Sequence, residues 1–373
     1  MSSEKSRAGL LSRQSKYWIA FSSIEQIDSR FVQRLYNYFG DIEKAYNASL
    51  VDLSQIDGLN MKKAQTFIEK RAKINPDKVL DEVLRRNISC ITFEDENYPY
   101  MLKNISDPPV VLYVKGDLGI CNLEKTLSVV GSRKASTASK DVLTKILTEL
   151  RGTDVCIVSG LASGIDTTAH TSALANNLKT IGVIASGFDF VYPSANKELY
   201  KKIEGGGGAI VTEYFPTFEP LQFRFPHRNR VVSGLSYGTL VAEAAIKSGA
   251  LITANLCLEQ GRELMCIPGL VSNPNTAGIY KLLKHGATMV TSAEDILNAL
   301  NWEIKSEKQL KMDFSKFSED EKKILDSIEI EPKRFDAIAS ETKIDFNTIL
   351  TCLTNLELQG TIKQIEGEKY KII

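Results

Sequence analysis

Histidine is scarce in this sequence: there are three in 373 residues, too few for a histidine-rich metal site. No CxxC pair occurs. The six cysteines, Cys90, Cys121, Cys156, Cys257, Cys266 and Cys352, stand far apart and mostly inside apolar runs. That pattern reads as reduced core thiols of a cytoplasmic protein, not as a disulfide framework. No run approaches 18 apolar residues, so no membrane-spanning helix is expected. The polar N-terminal stretch has no apolar core of a signal peptide. An excess of charge is missing too, with 46 Lys+Arg against 46 Asp+Glu. Neutrality excludes a protein that coats nucleic acid by bulk charge. It leaves a local basic site open.

What is present is an ordinary folded composition, 43% hydrophobic and 25% charged. At roughly 100–200 residues per domain, the length suggests two or three domains. Residues 1–15 read as a tail, and 16–78 as a helical domain. Within it, Leu50–Leu59 followed by Lys62, Lys63 and Ala64 has the rhythm of a helix-hairpin-helix, although a plain packing turn explains it equally. Residues 79–300 read as the core. Its opening stretch, through about residue 115, is a lead-in with turns at Tyr98-Pro99 and Asp107-Pro108-Pro109 and a strand at Val110–Val114. Residues 125–300 then alternate short apolar strands with helix-length segments. The expected strands are Leu127–Val130, Val155–Val158, Thr180–Ala185, Ala209–Thr212, Thr239–Ala242, Leu264–Ile267 and Thr288–Val290. Nearly continuous apolar strands separated by helices predict an extended Rossmann-like, mostly parallel α/β sheet covered on both faces. Residues 301–315 are polar and read as a linker. Residues 316–373 predict three helices and a small hairpin, hence a winged helix.

The strands end in glycine-bearing turns: Gly131-Ser132-Arg133, Ser159-Gly160-Leu161-Ala162-Ser163-Gly164, Ala185-Ser186-Gly187 and Pro268-Gly269. In a parallel sheet such turns converge at the carboxyl edge, where ligands bind. Amides at the following helix N-termini can hold an anion, and Arg133 adds a fork suited to phosphate. Neither GxGxxG after the first strand nor GxxxxGK[ST] occurs, which excludes a dinucleotide fingerprint and a P-loop. The Gly205–Gly208 run reads as a helix-terminating turn.

A second signal is Phe223-Arg224-Phe225-Pro226-His227-Arg228-Asn229-Arg230, three arginines interleaved with aromatics. Residues 221–262 carry five basic residues (Arg224, Arg228, Arg230, Lys247, Arg262) against Glu243 and Glu259. Such a segment suits a polyanionic ligand, with an aromatic to stack on an exposed base. At least one arginine, Arg230, is a candidate for an internal salt bridge instead.

These strings, with Ala169-His170, Tyr192-Pro193, Glu243-Ala244 and Lys247-Ser248-Gly249, resemble the DNA processing protein A (DprA/Smf) family. The resemblance is dense over about residues 80–297 and weak in the flanks. It implies a single-stranded DNA-binding protein, with no established catalysis and no cofactor. Such proteins protect incoming single strands and help load the RecA recombinase in natural transformation, competence and DNA recombination. They commonly form a homodimer through the core. By family analogy the DNA and phosphate site falls on Gly131, Ser132, Arg133, Ser159, Gly160, Gly164, Phe225, Arg228, Asn229, Arg230, Lys247 and Ser248. On this reading Asp166 orients the second glycine loop and His170 is structural. Two features depart from the family. Tyr280 stands where asparagine is frequent, which bears on the local loop. The C-terminal domain is also not basic, with 10 Lys+Arg against 13 Asp+Glu over 311–373; a duplex-reading winged helix would show a positive face. A protein-contact or accessory role is therefore expected for it, with weak DNA binding as the alternative.

The alternative is a phosphoribohydrolase-like enzyme acting on a nucleoside monophosphate at the same sheet edge, with Glu243 or Asp166 as its carboxylate. Pro268-Gly269-Leu270 departs from the phosphate loop of such enzymes.

Overall fold

A computed structural model of the chain describes residues 14–302, 317–328, 332–359, 361–365 and 367–372. Most of the expected tail and of the 301–315 linker lies outside them. The chain divides into two compact units, residues 1–304 and 305–373.

The first unit is built on a nine-stranded sheet: β1 (Ser89–Thr92), β2 (Val111–Gly116), β3 (Thr126–Gly131), β4 (Cys156–Ser159), β5 (Thr180–Val183), β6 (Ala209–Thr212), β7 (Gly238–Glu243), β8 (Glu263–Cys266) and β9 (Thr288–Met289). Their spatial order is β1-β2-β6-β5-β4-β3-β7-β8-β9. Strands β3 to β9 pair in parallel, whereas β1 and β2 extend the β6 edge antiparallel. The sheet is thus mixed, and the stretch read as a lead-in supplies two of its strands. Each parallel strand is an apolar run because helices cover both faces. Val130, Val158, Val183 and Val241 face one core; Leu127, Val129, Ile157 and Leu240 face the other. All six cysteines are free and buried.

The chain runs outward from β3 through β4 and β5 to β6, then returns to lay β7 against the other side of β3. That reversal opens a crevice beyond the carboxyl ends of β3 and β7, the place where open α/β sheets take ligands. The pairing slips there: Val130 faces Val241 but Gly131 faces Glu243. The extra residue is a bulge, a device that re-aims side chains near sites.

Short helices precede the sheet, among them Ser15–Ser22, Ser29–Phe39 and Met61–Arg71. Asp28 and Asn60 cap the latter two through side-chain bonds to Phe31 and Lys63 amides. Trp18, Phe21 and Phe67 are buried, and the last two stack with centroids 4.8 Å apart. This cluster continues onto Val111 and Tyr113 of β2 and onto Phe215, which fastens the helices to the sheet. In the expected hairpin turn, the Gly58 carbonyl accepts a bond from the Arg34 guanidinium. The turn is therefore packed against a neighbouring helix.

The second unit has helices Glu319–Ile328, Phe335–Thr342 and Phe346–Leu358 and a three-stranded sheet of β10 (Lys333–Arg334), β11 (Ile362–Ile365) and β12 (Lys369–Ile372), in the order β10-β12-β11. Ile324, Ile338, Ile349 and Leu353 form its core. No helix among the described residues is long and apolar enough to cross a membrane.

Candidate nucleic-acid interface

At the crevice between β3 and β7 lies a cavity of about 610 Å³ lined by the glycine turns and by the helix Arg224–Gly234. Gly131, Ser132, Arg133, Gly160, Phe225, Arg228, Asn229, Lys247 and Ser248 all contribute to its wall. Lys134, Asp166 and Thr253 join them.

The β3 turn is fixed from β7. The Ser132 amide donates to the Glu243 carbonyl at 2.8 Å. The Glu243 carboxylate is buried and accepts from the Ser136 amide, from Ser136 Oγ at 2.6 Å and from Ser139 Oγ at 2.8 Å. Ser136 in turn caps the helix Thr137–Glu149. Glu243, a candidate carboxylate for the nucleotide-enzyme reading, is thus committed to holding a helix start beside the cavity.

The β4 turn needs its glycines. A Cβ at Gly160 would stand 2.6 Å from the Arg228 guanidinium and 2.8 Å from the Asp166 carboxylate. Gly164 has φ +81° and abuts the Ser132 and Arg133 backbone, a conformation that side chains resist. It starts the helix Ile165–Ala175 and does not line the cavity. Arg228 is buried and donates to the Gly160 carbonyl at 2.7 Å and to the Val183 carbonyl. It therefore seals the cavity floor with a fixed positive charge. Asp166 accepts from the Ala162 amide at 3.2 Å. Burial pushes its carboxyl up to about 6, against the pull of Arg228. His170 is buried with Nδ1 2.7 Å from Thr180 Oγ1. Burial lowers its pKa to about 3, so it stays neutral, as a structural histidine should.

Ser159 is buried within the sheet, and its hydroxyl donates to the Val129 carbonyl at 2.6 Å; it does not reach the cavity. Arg230 does not reach it either. Its guanidinium is buried between Asp107, at 3.2 Å, and Glu213, at 2.5 Å. Arg224 is buried beneath the rings of Tyr214 and Phe218 and is paired with Glu25. Of the three arginines counted as one basic patch, only Arg228 belongs to the cavity. Helical geometry separates them. Phe225, Arg228 and Asn229 share one face at i, i+3, i+4, whereas Arg224, His227 and Arg230 share another.

The accessible cations come from the turns. Arg133, Lys134 and Lys247 are exposed, and none is ion-paired with a carboxylate among the described residues. Arg133 lies over the Phe225 ring at 5.4 Å from its centroid. The motif strings included Arg133 and Lys247 but missed Lys134, whose only signal was adjacency to Arg133. Tyr280 closes the neighbouring loop, its hydroxyl donating to the Gly269 carbonyl.

A parallel-sheet crevice with a buried arginine at its base, and cations at its rim that have no ion pair among the described residues, suits an anion; the class is an α/β protein followed by a winged helix. The family model described as DNA recombination-mediator protein A matches residues 89–301, and the DprA winged helix domain matches 315–368. The chain belongs to the DNA processing protein A (DprA/Smf) family. Protein Smf of Synechocystis is 30% identical over 95% of this chain and 98% of its own length. The X-ray structure of DNA processing protein A from Streptococcus pneumoniae superposes with a TM-score of 0.66 at 34% identity, covering 77% of this chain and 98% of that one. A Helicobacter pylori DNA processing protein A structure, described by its single-stranded DNA binding mode, gives a TM-score of 0.52 at 29% identity over 57% of this chain and 95% of that one.

Proposed function

We propose that this chain binds single-stranded DNA through its phosphates, without reading sequence and without turning over a nucleotide, and that it delivers the bound strand to the RecA recombinase. The observation that carries the reading is the crevice itself. Arg133, Lys134 and Lys247 stand exposed at its rim with no direct ion pair to a carboxylate among the described residues, and Arg228 lies buried behind them. Backbone amides and unpaired cations recognise a phosphate chain in any sequence. The commitment of Glu243 to Ser136 and Ser139 speaks against its service in hydrolysis. Family membership supports the partnership with RecA and a homodimer formed through the core. The acidic C-terminal unit, with Phe346 and Leu350 exposed one helical turn apart, suits contact with protein better than with DNA.

The test is fluorescence anisotropy of the full chain with labelled single- and double-stranded oligonucleotides across a salt series. Single strands should bind tighter than duplex, and affinity should fall steeply with salt. A flat salt response, or equal affinity for duplex, would overturn the reading.

A further inference from the structure

One aromatic beside the crevice stays open to solvent over about half of its surface. Tyr192 is 49% exposed, unlike the buried rings that build the cores. Its ring rests on Phe225, centroids 5.2 Å apart and planes at 60°. Phe225 lines the cavity, and the Arg133 guanidinium also lies against its ring. Phe225 is therefore flanked by two neighbours, one cationic and one aromatic. Both neighbours cover part of its ring, which is itself only partly exposed. Of the two rings, Tyr192 is the more open.

We infer that Tyr192 is a base-stacking residue: it receives one unstacked nucleobase of the strand whose phosphates sit on Arg133 and Lys247, with Phe225 backing its ring. This rests on the single-stranded DNA reading and adds to it a subsite for a base. Every base has a π face, so such a platform strengthens binding without selecting sequence. It also favours single strands, because bases in a duplex are already stacked on one another. Arg133 and Tyr192 thereby divide the work at Phe225: one grips the backbone and the other holds the base attached to it.

The test compares the full chain with its Tyr192→Leu and Tyr192→Phe variants. The probes are an oligothymidylate and an abasic deoxyribose-phosphate oligomer of the same length, each titrated at several salt concentrations. Tyr192→Leu should weaken oligothymidylate binding about tenfold, within the range for one stacked base, with the salt slope unchanged. Tyr192→Phe should bind like the parent, and neither variant should alter abasic binding. If Tyr192→Leu binds oligothymidylate like the parent, weakens both probes alike, or is matched in its loss by Tyr192→Phe, the inference is wrong. If the parent chain binds neither probe, the single-stranded DNA reading has failed, and the stacking role falls with it. If the parent holds both probes equally, only the base subsite has failed.

Discussion

Arg228 and Arg230, two residues apart on one helix, are buried in separate networks: Arg228 on the carbonyls of Gly160 and Val183 at the cavity floor, Arg230 between Asp107 and Glu213. The first lines the cavity; the second, together with His227, answers two carboxylates inside the fold.

Arg230→Ala should therefore act on stability. Removing it leaves Asp107 and Glu213 with His227 as their shared partner, and Asp107 with Arg30 as well, so the loss should fall at the low end for a broken buried pair, about 3 kcal/mol. Denaturant unfolding should show that loss. Any folded fraction should bind single-stranded DNA with the parent's salt slope.

Arg133→Ala and Lys247→Ala should do the reverse. Both side chains are exposed and unpaired among the described residues, so unfolding should be nearly unchanged. Each variant should weaken binding to all sequences alike and reduce the salt slope by about 0.7 per phosphate contact. An unaltered slope in both would place the strand elsewhere.

Asp166 gives the site a pH dependence. Its folded pKa, about 6, lies above the ordinary value near 4. The folded chain thus holds the proton more tightly than the unfolded chain. The resulting stabilisation is complete below the unfolded pKa and is lost as pH rises through about 6. Asp166→Asn should melt higher than the parent near pH 8, by about 3 kcal/mol in stability, and the gap should close toward pH 4. Because Asp166 faces the cavity, the variant should also bind single strands more tightly at the higher pH. Thermal melts and binding at the two pH values check both signs.

Glu243→Ala removes the acceptor for Ser136 and Ser139. Leaving those donors unpaired and the helix start loose should cost about 2 kcal/mol. The β3 turn should loosen, and DNA affinity should fall with it. A nucleotide-turnover activity present in the parent and lost in Glu243→Gln, with stability retained, would instead favour an enzyme.

The parallel part of the sheet was legible because its buried strands are apolar runs, several of them closed by glycine turns. Gly131 and Gly160 marked the site for the same reason. The arginine-rich string misled because counting along a line ignores the turn of a helix, so Arg224 and Arg230 were added to a charge they do not supply. Ser159 sits in a motif string, yet its buried hydroxyl donates to the Val129 carbonyl of the neighbouring strand. Strand β1 stayed hidden: four residues, Ser89–Thr92, carry too little periodicity to separate them from a loop.

The adjacency of β3 and β7 also bears on how the chain reaches its working state. Ser128 and Thr239, whose hydroxyls touch at 2.6 Å, are 111 residues apart. Closing so long a loop is paid in entropy before any pairing returns it. Both lips of the crevice are set by that one junction, so a nascent or partly folded chain has no phosphate cradle. Affinity for a strand would then depend on this non-local pairing, and a bound strand would favour chains in which it has formed.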